Sequence, residues 1–208
     1  MSNVVRKAIL SGGIVTLFLF VDQAIKVWIK THMFLHESIR VTNWFYILFT
    51  ENNGMAFGME LVAKPVLSLF RIVAVGFIAF YLVRFIHRNL PWGVIILVSL
   101  VMVGAIGNIF DCVFYGTIFS ESSHAQIASL VPLGQGYSTW MLGRVVDMFY
   151  FPLVEFDWPS WMPFVGGDHF IFFSPIFNFA DACISTGVIA LFLFYNRYLT
   201  KAYLSLKS

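Results

Sequence analysis

Two carboxylates sit where a carboxylate is expensive. Asp181 lies near the head of an apolar run that extends to Tyr195, and Asp147 lies in the apolar stretch Gly143-Arg-Val-Val-Asp-Met-Phe149. A carboxylate at membrane depth is costly, and such a residue points to function by default. Two carboxylates brought together cannot both ionise cheaply, so they share a proton. The ionised member can then draw a proton from water while the protonated member polarises a carbonyl. That is peptide hydrolysis with neither a metal nor a covalent intermediate. The competing reading is two unrelated acids at a membrane interface, and spacing alone leaves both open.

Other polar residues recur at helical spacing. Gly104, Asn108, Asp111 and Tyr115 are four, three and four apart and share one helix face, with Gly107 beside it. Small residues let helices approach closely in lipid, and Asn can hydrogen-bond across the contact, so packing explains much of this face. Asn178, Asp181 and Ser185 repeat the pattern, but packing explains Asp181 poorly. Asp22 and Lys26 are four apart, the spacing of a local ion pair. Arg71 near one end of its apolar segment is able to snorkel to head groups. Cys112 and Cys183 stand apart from any CxxC spacing and read as buried thiols. The five histidines form no HExxH or other ligand spacing, so no metal and no cofactor is expected; His169 beside Asp168 is the one suggestive pair.

The elements that must carry these residues are membrane spans. Of the 208 residues, 59% are hydrophobic and 12% charged, against about 25% charged in soluble domains. A net charge of +2 is too small to argue for nucleic acid. Apolar stretches at 8–29, 65–86, 91–119 and 170–195 each reach the roughly 20 residues a spanning helix needs. The expected fold is an α-helical integral membrane protein of four spans, one domain over 1–208, with a small β-sheet on its outer face. With the N-terminus inside, the inner flanks hold Arg6, Lys7, Arg84, Arg88, Arg197, Lys201 and Lys207 and none of the acids, which predicts both termini cytoplasmic. The outer segments are then 30–64 and 120–169. Residues 39–50 are rich in β-branched and aromatic side chains and read as strand, followed by a turn at Asn53-Gly54. Residues 120–171 show no clean period.

In order along the chain, Asp22 with Lys26, Asn53-Gly54-x-Ala56-Phe57, Gly104-x-x-Gly107-Asn108-x-x-Asp111, Val146-Asp147 and Phe177-Asn178-x-Ala180-Asp181 resemble the motifs of lipoprotein signal peptidase, the type II signal peptidase of bacteria. The resemblance runs from the first span to the last. It implies an inner-membrane aspartic endopeptidase that cuts prolipoproteins before a cysteine already carrying diacylglycerol, with its site toward the periplasm. It implies Asp147 and Asp181 as the catalytic pair, Asn53, Gly54, Asn108 and Asn178 as lining, and Asp22 and Lys26 as support, with Asp111 and Ala180 in the same motifs. The expected partners are the lipid-modified precursor and membrane phospholipid, with the chain a monomer. The 54–57 turn could close over substrate as a lid. Two departures stand out. The family usually has Arg where this chain has Cys112, so that positive contact is either absent or supplied by Arg144 or Arg71. The segments 120–142 and 150–171 look like insertions. The rival from another class is a proton-coupled transporter using Asp and Asn as a relay.

Overall fold

The computed structural model describes residues 1–53 and 63–207. Four helices are long and apolar enough to cross a membrane: α1 (Asn3–His32), α2 (Ala63–His87), α3 (Trp92–Phe110) and α5 (Phe179–Lys207). The third continues from α3 through a π-helical turn, Asp111–Tyr115, into the short α4 (Gly116–Ile118). α3 is the central helix and packs against α1, α2 and α5.

The bundle is sorted in the sense that lipid demands. On α1 the buried residues are Lys7, Ser11, Asp22, Lys26, Ile29 and Lys30, which fall on one helical stripe. Leu17 and Phe20 on the other faces are exposed. A polar stripe turned inward leaves the apolar faces for acyl chains. Close helix contact comes from small residues. A Cβ added at Gly104 would stand 2.2 Å from the Ala180 carbonyl oxygen, so the backbones of α3 and α5 meet closely there.

One end of the bundle carries a four-stranded antiparallel sheet in the order β1 (Ser38–Arg40), β2 (Tyr46–Asn52), β3 (Val145–Tyr150), β6 (Ile176–Phe177). The segment expected as one strand over 39–50 is a hairpin, because Thr42, Asn43 and Trp44 turn the chain between β1 and β2. Strand alternation positions β3. Val146 and Met148 enter a core with Ile29, Met33, Phe49, Tyr115 and Phe119, while Val145 and Asp147 face a cleft between the helices.

A second pair, β4 (Val154–Asp157) and β5 (His169–Phe172), forms a separate antiparallel ribbon. This corrects the fourth span, which begins at Phe179 and not at 170. Residues 169–177 are apolar, but β5 pairs with β4 and β6 pairs with β3, and Pro175 between them lacks the N–H a helix needs. The region read as lacking a period thus contains three strands of defined register.

Candidate active site

α5 begins in a capping arrangement that builds half the site. The Asp181 backbone N–H donates to Asn178 Oδ1 (3.0 Å), and Asn178 N–H returns a bond to Asp181 Oδ2 (3.3 Å). Capping uses the Asn178 oxygen and frees its amide NH2. That group donates to Asp147 Oδ1 at 2.6 Å and to Asn108 Oδ1 at 3.1 Å. Asn108 in turn donates to Asp181 Oδ1 at 2.7 Å. The two carboxylates, one on a strand and one in the first turn of a helix, are thus linked through two amides.

Asp147 is 3% exposed and accepts a second bond, from Asn52 Nδ2 at 3.2 Å. Burial pushes its carboxyl up from the ordinary 3.8 to about 6; the Asn178 amide opposes this, and the neighbouring Asp181 charge adds to it. It is therefore poised to hold or release a proton near neutrality. The cleft has a volume of about 310 Å³, and Asn52, Arg71, Asn108, Asp147 and Asp181 line it with Ala74, Ala105, Ile109, Val145 and Ile184. Its walls are apolar and its carboxylates converge, which suits a peptide with an apolar flank.

Behind the cleft lies a buried charge cluster. Lys26 Nζ is 3.1 Å from Asp22 Oδ2, 2.8 Å from Asp111 Oδ2 and 3.0 Å from Asn108 Oδ1. All three charged side chains are fully buried. Asp22 Oδ1 accepts the Ala180 N–H (3.0 Å), and Asp111 Oδ2 accepts the Val146 N–H (3.3 Å). The expected local pair is therefore a hub. It fixes the start of α5 and the strand residue before Asp147, and it holds Asn108 at the same time. Gly143 approaches the π-turn closely enough that its N–H bonds the Cys112 carbonyl at 2.8 Å. π-turns recur at functional sites, and here the turn offers that carbonyl to the stem of β3.

The structure brings Asp147, Asp181, Asn108, Asn178, Asp111, Ala180, Asp22 and Lys26 into one assembly. Asn52, which the sequence reading passed over, meets Asp147 and lines the cleft; Asn53 is not among the lining residues. Asn52 is the last residue of β2 and pairs with Val145, on the face of Asp147, which only the β2–β3 register discloses. Gly54 and the turn through Phe57 lie outside the described residues. Arg71 lines the cleft, its Nη1 3.1 Å from Cys112 Sγ. Arg144 instead joins Glu51 (3.0 Å) and Glu121 (2.6 Å). Of the two candidates to stand in for an arginine at Cys112, Arg71 occupies the cleft. Both cysteines are buried and neither forms a disulfide.

Sequence reasoning also missed a second ionic cluster. Lys30 bonds Glu51 and Ser122, with Arg144 on the other Glu51 oxygen. Burial raises the Glu51 carboxyl, but the Lys30 charge and the hydrogen bonds from Lys30, Arg144 and Ser122 together outweigh it, so Glu51 is held below the usual carboxylate range. Lys30 is four residues beyond Lys26 on the same stripe, a signal that could have flagged it. The cluster ties the segment after α4, through Ser122 and Glu121, to the strand that bears Asn52.

Four spans, a sheet at one end and paired carboxylates facing an apolar cleft define a membrane-embedded peptidase of the aspartic type. Residues 14–197 match the family described as signal peptidase (SPase) II, and the chain belongs to that family. It is similar to the lipoprotein signal peptidase of Porphyromonas gingivalis (strain ATCC 33277), 55% identical over 187 residues, covering 89% of this chain and 82% of that protein. It is 33% identical to the lipoprotein signal peptidase of Amoebophilus asiaticus, over 87% of this chain and 75% of the relative. Two bacterial membrane enzymes solved by the in meso method share the fold, with TM-scores of 0.57 and 0.54 at 23% and 24% identity. They cover 90% and 88% of this chain, and 94% and 84% of their own. Family membership decides for the peptidase over the proton relay.

Proposed function

We propose that the chain removes the signal peptide of lipoprotein precursors, cutting before a diacylglyceryl-modified cysteine, with Asp147 and Asp181 as the catalytic pair. The observation that carries this reading is their convergence on one cleft, each held by an asparagine amide. In this mechanism the pair shares one proton and holds one water, which attacks the scissile carbonyl directly. Asn108, Asn178 and Asn52 fix the carboxylate planes, so little reorganisation is needed as charge develops. Ala74, Ala105, Ile109 and Ile184 give the signal-peptide helix an apolar wall within the bilayer. The enzyme works as a monomer, since one chain supplies both carboxylates. Basic flanks support cytoplasmic termini in the inner membrane and a periplasmic site.

The test is cleavage of a lipidated precursor by purified Asp147→Asn and Asp181→Asn. Each is expected to be inactive while remaining folded in detergent. Substantial turnover by either would remove that residue from the pair. A cysteine reporter at each terminus, labelled from one side of intact cells, checks the orientation.

A further inference from the structure

The β4–β5 ribbon takes no part in the site, yet its sequence is sorted as if it had a partner. Its register pairs Val154 with Phe172 and Phe156 with Phe170, and it pairs Glu155 with Ile171 and Asp157 with His169. Strand alternation puts the first four side chains on one face and the second four on the other. The first face is wholly apolar. The other collects every titratable side chain of the two strands. There His169 bridges two carboxylates, Nδ1 to Asp157 Oδ1 at 2.6 Å and Nε2 to Glu155 Oε1 at 2.9 Å. Exposed ion pairs of this kind are normal in water.

Among the described residues, Trp158 packs on Phe156 and Phe170 and the apolar face is otherwise left partly open. Its four side chains are between 36 and 54% exposed. At the tip Trp161 is 79% exposed and Phe164 fully so. The tip is nevertheless ordered by backbone bonds, Trp158 N–H to Asp168 O at 3.0 Å and Gly167 N–H to Trp158 O at 2.9 Å. Phe164 itself holds a left-handed backbone (φ +70) that a bulky residue adopts at a cost, and this leaves its ring outward. A bare two-stranded ribbon is at best marginally stable in water, so one with a defined apolar face calls for a surface to lie on.

Its place in the chain identifies that surface. Both stems of the ribbon issue from the β3–β6 pair, where Tyr150 faces Ile176. α5, a membrane span, starts at Phe179, two residues past the end of β6. At roughly 3.3 Å per residue, the seven residues from Phe172 to Phe179 keep the base of the ribbon within about 23 Å of the point where the chain enters lipid. The faces that α5 turns to lipid carry the exposed Val188, Ile189 and Phe192. Trp and other apolar rings on one side with charges on the other is the composition of an interfacial segment.

We propose that the β4–β5 ribbon lies on the phospholipid surface beside the catalytic cleft, with Val154, Phe156, Phe170, Phe172 and the Trp161–Phe164 tip in the interfacial layer and the Glu155–Asp157–His169 cluster toward water. It thereby anchors β3, the strand of Asp147, to the leaflet. This requires only that α5 spans the membrane, and it stands whichever residues perform the cleavage.

The test attaches bimane to Phe164→Cys, and separately to Glu155→Cys, in proteoliposomes of phosphatidylethanolamine and phosphatidylglycerol; the native cysteines are buried. The probe at 164 is expected to be quenched at least several-fold more by acyl-chain nitroxide lipid than the probe at 155, and to be shielded from aqueous iodide. Equal iodide quenching at both sites, with none from the lipid nitroxide, would overturn the proposal. Shielding at 164 without lipid quenching, accompanied by concentration-dependent cross-linking through 164, would overturn it in favour of a second copy of the chain. Precursor cleavage measured on the same preparations reports on the catalytic reading separately.

Discussion

Asn178→Ala tests whether an amide sets the proton affinity of Asp147, one of the two proposed catalytic carboxylates. The side chain donates to Asp147 Oδ1 at 2.6 Å, and that bond favours the ionised carboxylate. A hydrogen bond to a charged group contributes about 1.5–3 kcal/mol. At 1.36 kcal/mol per pH unit, losing it raises Asp147 by about one to two units from its value near 6. The sign is definite: removing a donor from a carboxylate makes it a stronger base. If the ionised pair is the active form, the acid limb of kcat/KM against pH moves upward by the same one to two units. At pH 6, where the parent is half ionised, the variant then loses about 5–50-fold in rate, and it recovers most of that loss by pH 9. The lost N-cap separately lowers stability by about 1 kcal/mol, which thermal unfolding in detergent reads independently. The assay is cleavage of a lipidated precursor across pH 5–9. A loss of equal size at every pH, with the acid limb unmoved, would refute the reasoning and leave Asn178 a purely structural cap.

Three further outcomes follow from the buried charges and the close contacts. Lys26→Met leaves Asp22 and Asp111 facing each other without their cation and is expected to destabilise by about 3–5 kcal/mol, as broken buried pairs do; a melting temperature close to that of the parent would contradict the hub. Asp147→Asn is expected to abolish cleavage and yet raise stability at neutral pH. The Asp147 carboxyl is raised from 3.8 to about 6, so its favourable contribution is complete below pH 3.8 and lost as pH passes 6. The gain from Asn is up to about 3 kcal/mol at pH 7.5 and vanishes near pH 4; a lower melting temperature at pH 7.5 would count against it. Gly143→Ala places a Cβ 2.1 Å from the Asp111 carbonyl oxygen and is expected to cost about 1–3 kcal/mol and to slow cleavage by shifting β3. Gly12→Ala, with nothing within 4 Å, serves as its neutral control.

The spans were legible because lipid imposes one rule, a long apolar run, on every crossing helix. Asp147 and Asp181 were legible because a carboxylate in apolar surroundings is costly enough to stand out singly. Asn52 was not, since only its pairing with Val145 across the β2–β3 register brings it to Asp147. Lys30 and Arg144 gave no local sign of a shared partner in Glu51, because that pairing spans 93 residues between Glu51 and Arg144. Nor could an apolar run alone separate helix from strand over 169–177, where partners far along the chain decide.

By itself the sequence determined the solvent of this protein, its four crossings and the chemical types at its site. Those depend on composition and on spacing within one helix. The tertiary structure alone decided that Asp147 and Asp181 share a cleft through Asn178 and Asn108, that Lys26 serves two aspartates, and that β4 and β5 form a ribbon with one partly open apolar face. Each of those is a pairing between distant segments, settled by register and helix packing, which no single segment encodes.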